Sequence, residues 1–293
     1  MGWKDFAADA SESAAWWQSA PRCPTLPRPM KAFRLNRLFH AASHRCLAVA
    51  VGPGIGDSDR RVRALTGAAP DALQLSLGQA ALLQSIPGKD RPALLIRADV
   101  ANVRGRALPA TLFSRIVANA VEQAVRLDAA GVVVGLIHLP GEPALTEQCV
   151  QNIARLQTGC ERFAMPLIIE VLTPGSSAQT GGDLEKTLPL VEQARGLGAD
   201  LIQTDEPGEA GDFHRVVENA GGIPVLVRTG GTAPDAEILA LAETFIRQGA
   251  AGLVLGRDLI QHPHPTGLVR ALMAIVHDGA TAADAVQGIG IAK

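Results

Sequence analysis

The sequence predicts a single (β/α)8 barrel preceded by an N-terminal arm. Three observations carry this. Eight short apolar runs alternate with helix-period segments along the chain. Each run is apolar almost without interruption, as in strands covered on both faces. No Gly-x-Gly-x-x-Gly follows the first run, which argues against an open doubly wound sheet. A length of 293 residues suits one such barrel.

Residues 1–30 form the arm. "WKDFAADASESAAWW" predicts a short helix carrying Trp3, Phe6, Trp16 and Trp17, and "PRCPTLPRP" ends it because proline cannot continue a helix. All three tryptophans lie in this arm, which reads either as packing over the barrel or a neighbouring subunit, or as a docking peptide. "MKAFRLNRLFHAA" (30–42) predicts a helix closing the bottom of the barrel. The strands follow: "CLAVAV" (46–51), "ALQLS" (72–76), "ALLIRAD" (93–99), "GVVVGLIHL" (131–139), "PLIIEVL" (166–172), "DLIQTD" (200–205), "IPVLVR" (223–228) and "AGLVLG" (251–256). Helical periodicity marks 116–130, 146–163, 183–197, 234–248 and 265–277. Glycines in "LDAAGV", "RGLGAD" and "RQGAAG" supply the left-handed cap between a helix and the next strand. The barrel domain is expected to span 31–293 without an internal linker.

Apolar residues make up 47% and charged residues 19%, a globular composition, and a net charge of −2 gives no basis for binding nucleic acid or an anionic membrane. Arg60, Arg61 and Arg63 are expected on a solvated helix face. Cys23, Cys46, Cys149 and Cys160 lack Cys-x-x-Cys spacing and read as reduced, buried thiols. There is no apolar run of about 18 residues to span a membrane. Asp5, Asp9 and Glu12 interrupt any secretory signal, so a cytoplasmic location is expected. The chain has no tyrosine, which removes one common general acid.

Barrel sites lie at the C-terminal ends of the strands. That rule selects Gly52 to Gly54, Gln74, Ser76, Arg97, Asp99, His138, Glu170, Gln203, Asp205, Arg228 and Arg257. "RTGG" ends the seventh run and "LGRD" the eighth. Gly230, Gly231 and Gly256 let backbone N–H groups approach an anion, and Arg257 adds a charge-assisted contact, so a phosphate site is expected there. The competing reading is tight turns with Arg257 paired to a carboxylate. Asp99, Glu170 and Asp205 come from three strand ends. They either pair with Arg97 and Arg228 or converge on Mg²⁺ or Mn²⁺; pairing is the expectation, and no cofactor is required. His138 reads either as a core histidine or as a general acid or base. "HPHP" (262–265) reads as a loop leading into a helix rather than as a metal site.

"GADLIQTD", "IPVLVRTGG", "AAGLVLGRDLIQHPHP" and "LVRALMAIVHDG" resemble the second half of class I aldolases of the deoxyribose-phosphate, tagatose-bisphosphate and archaeal-type fructose-bisphosphate superfamily. The "RLNRLF" segment is similar to the start of bacterial fructose-bisphosphate aldolases. The resemblance implies making or breaking a carbon–carbon bond beside a carbonyl, through a lysine Schiff base, on a small phosphorylated substrate. It also implies a homo-oligomer and maps the phosphate loops onto Gly230, Gly231, Gly256 and Arg257.

Two hallmarks of that family are missing. The Schiff-base lysine falls at Gln203, or two residues on at Asp205, and neither side chain forms an iminium ion. The first strand ends Gly52-Pro53-Gly54 where relatives carry Asp-His-Gly. The five lysines, Lys4, Lys31, Lys89, Lys186 and Lys293, all lie away from the expected site. Three readings follow. The chain is an aldolase-like lyase with altered groups, in which His138, Glu170, Gln203, Asp205 and Arg228 act and Gln74, Arg97 and Asp99 line the pocket. Or it is a degenerate barrel that binds a phosphorylated metabolite as a sensor or structural subunit. Or it is a metal-assisted aldolase or isomerase.

Overall fold

The computed structural model describes residues 29–52, 58–86, 91–103, 108–173, 183–229, 233–256, 259–260 and 262–288. Eight parallel strands close into a barrel: β1 (Cys46–Ala50), β2 (Ala72–Leu75), β3 (Ala93–Arg97), β6 (Gly131–Ile137), β7 (Leu167–Leu172), β8 (Leu201–Asp205), β9 (Val225–Thr229) and β10 (Gly252–Leu255). Each pairs with its neighbours in chain order, and β10 returns to β1. The eight apolar runs are thus the eight barrel strands.

One element departs from expectation. Asp99 does not end the third barrel strand. It opens a two-stranded antiparallel hairpin, β4 (Asp99–Ala101) with β5 (Ser114–Ile116), which sits above β3. Asn152 holds the hairpin through a hydrogen bond from Nδ2 to the Ser114 carbonyl (3.1 Å).

The outer helices are α2 (Ser58–Ala68), α3 (Leu77–Gln84), α4 (Ala120–Arg126), α5 (Pro143–Arg162), α6 (Leu184–Gly196), α7 (Phe213–Asn219), α8 (Asp235–Arg247), α9 (Pro265–Met273) and α10 (Ala282–Gly288). The helix read from 116 starts only at Ala120, because residues up to Ile116 belong to β5 and Asn119 adopts φ 52°. A π-helical turn, Ala274–Asp278, continues α9. No helix among the described residues is long and apolar enough to cross a membrane.

Strand alternation separates two buried layers. Val49, Leu73, Ile96, Val132, Ile169, Ile202, Val227 and Leu253 pack outward against the helices. Cys46, Ala48, Ala72, Ala93, Leu95, Val133, Ile168, Leu201, Leu226 and Val254 fill the barrel interior. The alanines leave room at the lower end for Leu35 and Leu38, carried by α1 (Pro29–Leu35) and the turn after it. The plug helix is therefore shorter than the sequence pattern suggested. It is fixed by Lys31, whose Nζ lies 3.0 Å from Glu161 Oε1 and 2.8 Å from Asp200 Oδ2.

Gly252 closes the seam between β10 and β1. Its φ is +150°, and a Cβ there would lie 1.8 Å from the Cys46 carbonyl oxygen, so no side chain fits.

A second tie holds the lower rim. His277 Nδ1 lies 2.7 Å from Ser43 Oγ, and its Nε2 lies 2.9 Å from Asp71 Oδ2. The order Ser–His–Asp is that of a nucleophile relay, but the same Asp71 oxygen also accepts from Leu47 N at 2.6 Å. The relay sits at the N-terminal end of the strands, where barrel residues serve stability. It staples the π-turn to the starts of β1 and β2.

Candidate functional site

The inward face that carries Leu95, Ile168, Leu201 and Leu226 continues, two residues further up each strand, to Arg97, Glu170, Gln203 and Arg228. Register places Gly135 beside Glu170, Glu170 beside Gln203, and Asp205 beside Arg228. The mouth of the barrel is thus polar above an apolar floor.

Five of the predicted residues form one ionic chain. Glu170 is 2% exposed and takes Arg97 Nη1 on Oε2 and Arg228 Nη1 on Oε1. Arg97 Nε lies 2.5 Å from Asp99 Oδ1, an ion-pair contact without the alignment of a hydrogen bond. Arg228 Nε lies 3.7 Å from Asp205 Oδ1. Burial opposes both guanidinium charges, but the carboxylates outweigh it: Asp99 and Glu170 for Arg97, Glu170 and Asp205 for Arg228. Both arginines therefore bind their protons more firmly than a free arginine.

Each of these carboxylates is thus paired with a guanidinium. Among the described residues, no three His, Cys, Asp or Glu side chains group in a way that could hold a metal ion. Asp205 is the more exposed end of the chain, with a side chain 36% exposed against 0% for Asp99.

Gln203 is fully buried, and neither Nε2 nor Oε1 has a hydrogen-bond partner among the described residues. Gln74 Oε1 is likewise without a partner. β2 and β8 lie four strands apart in either direction round the closed barrel, so these carboxamides occupy opposite walls. A buried polar atom left unpaired costs about 1–3 kcal/mol, so both carboxamides would gain by pairing with a polar ligand.

Two residues near the mouth escaped the sequence reading. Gly135 lies on the inward face, and its N–H donates to Asp99 Oδ2 at 2.9 Å. A Cβ there would lie 3.2 Å from both Arg97 Nη2 and Asp99 Oδ2, so the glycine makes room for that pair. The signal was present: an isolated glycine inside a strand marks close approach. Glu206, one residue beyond β8, accepts from Thr229 Oγ1 at 3.0 Å. Burial pushes its carboxyl above the ordinary range, the Thr229 bond pulls the other way, and Asp205 and Glu237 push it higher still.

His138 follows the last residue of β6, and its backbone N donates to the Leu172 carbonyl at 2.9 Å. Its parity is opposite to that of Gly135, and none of the hydrogen bonds or ion pairs of the described residues joins its ring to the ionic chain. Gly256 is described, and a Cβ there would meet open space, as it would at Gly52. Gly230, Gly231 and Arg257 lie outside the described residues, as do Pro53, Gly54 and Cys23.

Of the lysines, Lys31 is committed at the lower rim and Lys186 sits on α6, 2.6 Å from Asp183. Lys4, Lys89 and Lys293 lie outside the described residues. Among the described residues, therefore, no lysine enters the mouth. "HPHP" leads into α9, with His264 capping and Pro265 as the first helical residue.

Known proteins share this architecture. Residues 32–262 match the DeoC/LacD family aldolases. The 3-hydroxy-5-phosphonooxypentane-2,4-dione thiolase of Klebsiella pneumoniae is 25% identical over 289 residues, covering 97% of this chain and 93% of that protein. The 2-amino-3,7-dideoxy-D-threo-hept-6-ulosonate synthase of Halobacterium salinarum is 27% identical over 275 residues, covering 89% of this chain and 97% of that protein. Among solved structures, an archaeal fructose-1,6-bisphosphate aldolase, with its catalytic Lys covalently bound to the carbinolamine intermediate of the substrate, superposes with a TM-score of 0.68 at 21% identity. That match covers 85% of this chain and 99% of the other. A barrel of this topology, matched over most of its length by one family, settles the lineage: the chain belongs to the DeoC/LacD aldolase family.

Proposed function

We propose that the chain makes or breaks a carbon–carbon bond beside the carbonyl of a small phosphorylated aldehyde or ketose without forming a Schiff base. The observation that carries this is Gln203: a fully buried carboxamide, without a hydrogen-bond partner on either atom among the described residues, midway along the inner wall and beside Glu170. A carboxamide cannot attack a carbonyl, but its N–H can hold the carbonyl oxygen. In the cleavage direction, Asp205 takes the proton of the hydroxyl on the carbon that becomes the new aldehyde. The bond between that carbon and the one next to the ketone breaks. Its electron pair moves onto the ketone oxygen, which Gln203 Nε2 and the Arg228 guanidinium stabilise as an enolate. Glu170 holds Arg97 and Arg228 in place for this role.

The phosphate end is assigned to Gly230, Gly231, Gly256 and Arg257, and a Cβ at Gly256 would meet open space. Support for a phosphorylated substrate comes from the relatives, one of which is named for a phosphonooxy dione and another for a fructose-bisphosphate. A second reading, binding without turnover, is favoured by the pairing of Glu170, which is 2% exposed, to two arginines.

The test incubates wild type and Gln203→Lys with dihydroxyacetone phosphate and borohydride, and assays both for cleavage of fructose 1,6-bisphosphate. Wild type should form no trapped adduct, and any cleavage should survive borohydride. Gln203→Lys should acquire the adduct. A borohydride-trapped wild-type adduct would sink the noncovalent reading. Ligand binding with no turnover by wild type would select the second.

A further inference from the structure

We propose that Gln74 is a specificity-determining residue: its carboxamide takes a hydroxyl on the carbon chain of the substrate, so the mouth selects hydroxylated ketones over their deoxy counterparts. The inference rests on the reading of Gln203 as the holder of the carbonyl oxygen. It goes beyond that reading by giving the facing wall a task.

Ala72, at the start of β2, belongs to the apolar filling of the barrel. Two residues on, Gln74 faces the same interior one level higher. It is 6% exposed, and its Oε1 has no hydrogen-bond partner among the described residues. The cause is local. Its register neighbours are Ala50 on β1 and Leu95 on β3, whose side chains carry no donor. Ser76, two residues further along, is already committed: its Oγ donates to Gln79 Oε1 at 2.9 Å, and its N donates to the same oxygen at 3.0 Å. Nothing in this stretch of chain therefore satisfies the carboxamide, and a buried acceptor in that state detracts from stability.

The surrounding wall restricts what can satisfy it. Ala48 and Ala50 line the interior from β1, and Val254 lines it from β10. A Cβ at Gly52 would meet nothing within 4 Å. Among the described residues, this side of the mouth is small and uncharged, whereas the carboxylates and guanidiniums pair with one another from β3, β7, β8 and β9. A phosphate or an ammonium group would lose hydration against alanine and valine without meeting an opposite charge. A hydroxyl is neutral, and it both donates and accepts, so it suits a carboxamide turned either way.

An eight-stranded barrel has room inside for side chains or one small ligand. A molecule whose carbonyl oxygen is held from β8 therefore turns its other side toward β2, four strands away in either direction. A site whose buried polar group waits for a substrate hydroxyl rejects the analogue that lacks it, because the group is then left unpaired.

The test measures binding of two matched pairs to the full chain by titration calorimetry: dihydroxyacetone phosphate against hydroxyacetone phosphate, and xylulose 5-phosphate against 1-deoxyxylulose 5-phosphate. The members of each pair differ by one hydroxyl. Wild type should bind the hydroxylated member about five- to tenfold more tightly, the scale of one neutral hydrogen bond. Gln74→Met, which keeps the length and removes both polar atoms, should bind the two members within about twofold of each other, through lost affinity for the hydroxylated one. Its urea midpoint should rise, because an unpaired buried acceptor gives way to apolar surface. Gln203→Met should weaken both members alike, since both carry the carbonyl. An unchanged ratio in Gln74→Met, above all with a lowered urea midpoint, would mark a structural role and overturn the inference, leaving the carbonyl assignment standing. Normal binding by Gln203→Met, with the ratio lost in Gln74→Met, would overturn the carbonyl assignment and leave the hydroxyl contact standing. Wild type that binds none of the four, or does not discriminate within either pair, would overturn the inference.

Discussion

Replacing Glu170 with glutamine tests whether the ionic chain is a keystone of the mouth or an incidental pairing. The wild-type carboxylate accepts from Arg97 Nη1 and Arg228 Nη1 at a position 2% exposed. A hydrogen bond to a charged group is worth about 1.5–3 kcal/mol, so the two together set an upper limit of roughly 6 kcal/mol. Glutamine keeps the shape and one acceptor oxygen, which recovers part of one bond. Arg97 also keeps Asp99 at 2.5 Å, and Arg228 keeps the more distant Asp205 at 3.7 Å. The arginines are 18% and 20% exposed, so water screens some of the remaining charge. Together these reduce the expected loss to about 2–4 kcal/mol, close to the range for breaking one side of a buried ion pair. Equilibrium urea unfolding followed by circular dichroism measures it. The double variant Glu170→Gln/Arg97→Met should cost less than the two singles added, since it removes an orphaned charge together with its partner. A loss below about 0.5 kcal/mol, or strict additivity in the double variant, would refute the keystone role.

Gly135→Ala should destabilise the protein by about 1–3 kcal/mol, because the new methyl falls within van der Waals contact of both Arg97 Nη2 and Asp99 Oδ2; urea unfolding would read it. Glu206 has a carboxyl raised above 4.5, so its contribution to stability is full below pH 4.5 and is lost as the pH climbs through the raised value. Glu206→Gln should therefore flatten the fall in urea midpoint between acidic and neutral pH, and an unchanged profile would contradict the assignment. Burial pushes the Cys160 thiol up to about 12 and raises those of Cys46 and Cys149, so iodoacetamide at pH 8 should leave all three unmodified in native protein; peptide mass spectrometry would detect any exception.

The barrel was legible because each of its strands is a continuous apolar run and the count came to eight. The β4–β5 hairpin was not, because three-residue strands carry no measurable period, and Asp99 was consequently assigned to the wrong element. The mouth was legible as a set. Strand parity puts Arg97, Glu170, Gln203 and Arg228 on one face, and the expectation of carboxylate–guanidinium pairing follows from opposite charges at neighbouring strand ends. Which guanidinium meets which carboxylate depends on barrel register, which a linear pattern does not contain. Lys31 read as a residue ahead of the barrel, yet it is 3% exposed, because both its carboxylate partners come from segments far along the chain. Gly135 and Glu206 were missed for different reasons. The first was hidden inside an apolar run, and the second stood one position past the strand end used to select candidates.

The seam at Gly252 makes completion of this protein a late event. The first and last strands can meet only after the chain has been synthesised past Leu255, and until then β1 presents bare backbone to anything with a free strand. Because a single methyl at that point would collide with the Cys46 carbonyl, only glycine at position 252 lets the last strand close onto the first.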